Sequence, residues 1–191
     1  MTEIAKEIRD QLLETALNLL PIYGLSDELL EKAEEQIYGE RGRTIFVNLA
    51  DFVDYLLLDI DTKMLASLEQ QDTQNLKIRE KIKLALLTRF TIQDHALVKQ
   101  LASFFLKPQY APLAFKSLSR TCDKIWYFAG DQSTDFNYYS KRMILAAIYS
   151  ATIAYYLKTE ATEKQLAEFI EQRIQDSFKL AELKNKITEI F

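Results

Sequence analysis

One cysteine in 191 residues, Cys122, excludes an internal disulfide and any C-x-x-C or zinc-type spacing. One histidine, His95, excludes the paired Glu-x-x-His ligands of a di-iron carboxylate centre. Four glycines are too few and too scattered for a phosphate-cradling or dinucleotide loop. With only three prolines beside them, they argue for helix and against β architecture. No G-x-S-x-G occurs, so the usual hydrolase triad has no nucleophile elbow. No apolar run is long enough for a membrane span. The opening Met-Thr-Glu-Ile-Ala-Lys-Glu-Ile is acidic and already periodic, unlike a signal or Arg-rich transit peptide. The expectation is a bacterial cytoplasmic protein, peripheral to the inner membrane at most, or a processed form on the mitochondrial matrix side.

What is present is helix. Ile8, Leu12, Leu13, Ala16, Leu19 and Leu20 fall at helical spacing, with Pro21 and Gly24 as the stop. Ser26 or Asp27 caps a second helix carrying Leu29, Leu30, Ala33 and Ile37. A short element at 44–48 precedes a longer helix, with Val53, Leu56, Leu57, Ile60 and Met64 inward. Its Asp51, Asp54 and Asp61 are expected outward, as solvated surface. The Asp59-Ile-Asp61 pair is therefore not read as a metal site. Further helices run from Asn75 to Arg89, from the Asp94 cap to Pro108, from Pro112 to Phe128, from the turn after Gly130 to Leu157, and from Glu163 onward. Met143 to Leu157 is apolar almost all round, which predicts a buried helix. His95, beside its cap, is expected to have no ligand role. The count is about nine helices in an all-α fold.

Charge is uneven. The net is −4, but residues 1–70 carry 6 Lys or Arg against 15 Asp or Glu. Residues 71–191 carry 18 against 13. An acidic head with only Arg41 and Arg43 in the would-be recognition region is the wrong sign for nucleic acid.

Asp123 to Tyr156 contains the single Trp and a run of motifs. Gly130 follows Trp126-Tyr127-Phe128 and suits the left-handed residue that closes a helix. Asp131, Ser133, Thr134 and Asp135 suit the cap of the next helix, with Lys141 or Arg142 pairing back to a carboxylate. Asp123, Trp126 and Tyr127 share one helix face. Read alone, that face is equally core or an exposed binding patch. Ala147, Ser150, Ala151 and Ala154 line another face. They fit either close helix packing or room for an apolar ligand among Phe104, Phe105, Tyr149 and Tyr156.

The stretch IWYFAGDQSTDFNYYSKRMILAAIY resembles the signature of the accessory lipid-binding family of ubiquinone biosynthesis (Coq-nine), most densely from Asp123 to Arg142. The resemblance implies a TetR-like fold with a helix-turn-helix head over 1–70 and a ligand-binding body over 71–191. It implies a non-enzymatic protein that presents a quinone or isoprenoid lipid to the demethoxyubiquinone hydroxylase. Asp123, Trp126 and Tyr127 are then the docking face. Phe104, Phe105, Ala147, Tyr149, Ala151 and Tyr156 are the expected lipid wall. Gly130, Asp131, Ser133, Asp135 and Arg142 are the structural turn. No catalytic residue, cofactor or metal is implied, and a homodimer is expected. The amphipathic end of the last helix, with Lys179, Lys184 and Lys186, fits an anionic membrane surface and dimer packing equally. The alternative function is a TetR-family ligand-responsive transcriptional regulator.

Overall fold

The structure, a computed structural model, describes residues 3–39, 45–131 and 136–188. Among them are eight α-helices, one 3-10 turn and no strand. The expected short element at 44–48 is not a helix over its described part: residues 46–48 form bends. The ninth helical piece is instead the 3-10 turn Pro108–Tyr110, with Pro at its start.

The chain divides into two compact units that do not follow a boundary at residue 70. One comprises Met1–Asp59 with Ala96–Ser117, and the other Ile60–His95 with Leu118–Phe191. Helix α3 (Leu49–Glu69) runs unbroken through the division at Asp59 and Ile60, so no loop marks it.

The first unit holds α1 (Glu3–Tyr23), α2 (Asp27–Tyr38), the start of α3, α5 (His95–Phe105) and the first turns of α6 (Ala111–Phe128). Helix α1 passes through Pro21 and is closed by Gly24, whose N–H donates to the Leu20 carbonyl. Gly24 has φ +62°, open to glycine at no steric cost. Ser26 caps α2 by accepting the Leu29 N–H at 3.2 Å. The Gln100 amide then ties α5 to the α1–α2 turn, accepting the Leu25 N–H at 2.7 Å and donating to the Leu20 carbonyl.

The second unit packs the rest of α3, α4 (Ile78–Thr91), most of α6, α7 (Phe136–Thr159) and α8 (Glu163–Thr188). Met64, Leu86, Ile125, Leu145, Leu166 and Ile170 are fully buried at its centre. Each such side chain contributes roughly 1.5–3 kcal/mol relative to exposure. Helix α7 is not buried all round: Met143 is 73% exposed, and Ala147, Ser150 and Ala154 face solvent. Thr162 and Gln165 cap α8 reciprocally, backbone N–H to side-chain oxygen in both directions.

Candidate functional site: an apolar cavity behind the signature turn

Two isoleucine pairs one turn apart, Ile78/Ile82 on α4 and Ile144/Ile148 on α7, line an open cavity of about 560 Å³ in the second unit. Leu145, Ile174 of α8 and the Trp126 ring complete its apolar wall. Lys77, Arg79, Lys141 and Ser177 stand among them. The sequence-predicted lipid wall is elsewhere. Ala147 is exposed, and Tyr149 is buried with its hydroxyl accepting from Arg89 Nε at 2.8 Å. Tyr156 packs edge-on against Phe90 and His95, and Ala151 is half-buried on the same helix. Phe104 belongs to the first unit, stacked on Tyr110 at 3.9 Å with Phe105 edge-on. A face of small residues reads the same in sequence whether another helix, a ligand or water covers it; here, among the described residues, no helix of this chain covers Ala147, Ser150 or Ala154, which are exposed.

The signature turn forms the wall at Trp126. Gly130 adopts φ +92° and ends α6, with the Asp131 N–H donating to the Trp126 carbonyl at 3.0 Å. Asp131 is nearly buried and receives Lys141 Nζ at 2.7 Å and Arg142 Nη1 at 3.1 Å. Arg142 also reaches Asp123 at 2.7 Å and lies 3.3 Å above the Tyr138 ring. The Tyr138 hydroxyl donates to Asp123 at 2.9 Å, which raises its pKa. The Trp126 indole N–H donates to the Lys141 carbonyl at 3.1 Å. The turn thus clamps the end of α6 to the start of α7. Ser133 and Asp135 lie outside the described residues.

The three residues of the expected docking face separate by exposure. Tyr127 is 82% exposed. Asp123 is half-exposed and paired with Arg142. Trp126 is half-buried, one side on the core and lining the cavity.

Asp61 corrects the sequence reading. It is fully buried, not solvated. Arg89 Nη1 meets it at 2.9 Å, the Thr121 hydroxyl donates to it at 2.9 Å, and Arg120 and Lys124 lie at 3.5 and 3.7 Å. Desolvation lowers the Lys124 pKa, and burial raises that of Tyr149. Both members were marked in sequence by their register. Asp61 shares a stripe with Leu57, Met64 and Leu68, and Arg89 with Ile82, Ala85 and Leu86. A charge on an apolar stripe signals a buried partner. Cys122, beside this cluster, is fully buried and its thiol is pushed up to about 12.

Residues 111–181 match the COQ9 family model. The chain is 26% identical to the probable ubiquinone biosynthesis protein coq9, mitochondrial, of Dictyostelium discoideum, over 96% of this chain and 64% of that protein. It is 25% identical to the ubiquinone biosynthesis protein COQ9, mitochondrial, of Rattus norvegicus, over 93% and 61%. The chain therefore spans about three fifths of the length of these curated relatives. In fold it is similar to the TetR transcriptional regulator from Nitrosomonas europaea ATCC 19718, with a TM-score of 0.67 at 16% identity, covering 88% of this chain and 97% of that one. The signature around Trp126 falls within residues 111–181, the stretch that matches the COQ9 family model, on a TetR-like helical frame.

Proposed function

We propose that this chain is a non-enzymatic, lipid-binding protein of ubiquinone biosynthesis that presents a quinone or isoprenoid intermediate to the demethoxyubiquinone hydroxylase. The observation that carries the reading is the apolar cavity of about 560 Å³ bounded by Trp126, within the residues that match the family. Its size and greasy lining with a few polar groups fit a small-molecule site. The relatives' names supply the pathway.

Tyr127 and Asp123 present an aromatic ring and a carboxylate beside the cavity wall, a composition suited to docking the hydroxylase. Among the described residues no helix is long and apolar enough to cross a membrane. A peripheral membrane contact and a homodimer belong to the same proposal. The relatives are named mitochondrial, and a location beside an inner membrane suits an apolar cargo.

The test is extraction of the purified protein followed by mass spectrometry. A quinone or isoprenoid present at near-stoichiometric amounts is expected. Protein that purifies without any lipid, and takes none up from quinone-loaded vesicles, overturns the reading.

A further inference from the structure

We propose that the cavity holds one single-chain amphiphile with an anionic head, and that Lys77 and Arg79 read that head. The inference rests on the reading of the cavity as a lipid site and adds the class of ligand.

Volume limits the tail. A methylene fills about the space of a water molecule, roughly 30 Å³. A cavity of about 560 Å³ therefore accepts on the order of 18 chain carbons. That is one chain, not two; any further length lies outside the cavity.

Charge selects the head. The chain has more acid than base, 28 Asp or Glu against 24 Lys or Arg. Yet among the described residues the cavity is lined by three cations and no carboxylate. Lys141 is already held by Asp131 at 2.7 Å. Lys77 and Arg79 are exposed at the opening of α4 and make no salt bridge among the described residues. Two described acidic groups beside them are hydrogen-bonded to other groups. Glu80 accepts the Lys77 backbone N–H at 2.7 Å. Glu171, within electrostatic range of Arg79, is hydrogen-bonded by Gln175 and Lys83, and its pKa is lowered. A guanidinium and an ammonium two residues apart, above an apolar cavity, suit a carboxylate or phosphate monoester whose tail points inward. A neutral head can accept their hydrogen bonds but leaves both charges uncompensated.

Trp126 is the single tryptophan and lines the cavity, so its fluorescence reports occupancy directly. The full chain is titrated at low salt, below micelle concentrations, with dodecyl phosphate, dodecan-1-ol and inorganic phosphate. Dodecyl phosphate is expected to bind at least about tenfold tighter than dodecan-1-ol. The charge-reversed pair K77E/R79E should erase that preference. K77A/R79A, which removes the charges without adding new ones, should do so in smaller degree. Both sites are exposed, and a matching circular-dichroism melt verifies the fold.

Equal binding of the two chains by the native protein overturns this inference and leaves the lipid reading standing. So does a preference that survives K77E/R79E. Competition by inorganic phosphate at millimolar concentration also overturns it, since the site would then read a free anion. If neither chain binds, both this inference and the lipid reading fall together.

Discussion

The indole N–H of Trp126 donates to the backbone carbonyl of Lys141 at 3.1 Å, fastening the last turn of α6 to α7. One side chain thus belongs at once to the core, to the helix clamp and to the cavity wall. Trp126→Ala is expected to cost about 2–3 kcal/mol, below the ~3–5 of a fully buried large aromatic. Trp126→Phe keeps a ring and loses the hydrogen bond, for about 1 kcal/mol. Urea denaturation checks both.

Because Trp126 is structural, Tyr127 is the cleaner probe of docking. Tyr127→Ala should leave stability within about 0.5 kcal/mol, since 82% of the residue is exposed. If this face docks the hydroxylase, a pull-down with the same variant should weaken by ~2 kcal/mol, as at a hot spot. Unchanged binding would move the docking surface elsewhere.

The buried pair Asp61–Arg89 makes a second stability prediction. Arg89→Met leaves Asp61 buried with the Thr121 hydroxyl and its longer contacts to Arg120 and Lys124, and should cost about 3–5 kcal/mol. Asp61→Leu strands Arg89 to a similar degree. The double variant should cost much less than the sum of the two, because it removes both charges together. Additive losses in the double-mutant cycle would show that the two residues act independently.

How much of this was legible in the sequence differs by feature. Helix positions followed from the 3.6-residue period, and Gly130 from the aromatic run ahead of it. The clamp was half legible: a lysine or arginine pairing back was foreseeable, but not that Arg142 bridges Asp123 and Asp131 together. Asp61 was misplaced because four aspartates on one helix look alike when read locally. The stripe it shares with Leu57, Met64 and Leu68 narrows the choice, and the partner at Arg89, 28 residues away, decides it. The cavity was sought along Ala147 and Ala151, yet it lies along Ile144 and Ile148. Periodicity tells which residues share a face, and it is silent on which neighbouring helix meets that face.

A pH dependence follows from Cys122. Burial raises its thiol from the ordinary 9.0 to about 12. Between those values the unfolded chain gives up a proton that the folded chain keeps. Its stabilising contribution is therefore complete below pH 9 and is lost as pH rises toward 12. The urea midpoint should fall with pH above 9, and less steeply in Cys122→Ala. A thiol reagent at pH 8 should leave the native protein unmodified and react promptly in urea.

The acidic first 70 residues make a prediction about DNA. Arg41 and Arg43 lie outside the described residues, but their number is fixed by sequence. Non-specific binding needs several phosphates neutralised. An anisotropy titration with genomic fragments at low salt should show no binding below micromolar protein. Tight, sequence-selective binding would favour the regulator reading.

The clamp at Asp131 also sets a rotational phase. Each α-helical residue turns the chain by about 100°. Asp131 fixes where Lys141 and Arg142 must point, and so fixes the azimuth of every later residue of α7. Deleting Met143, just after the anchored pair, would leave the anchor in place and swing Leu145 and Ile148 off the cavity wall by that angle. Substitutions at that position cost what their contacts are worth. A change of length there re-aims the whole helix.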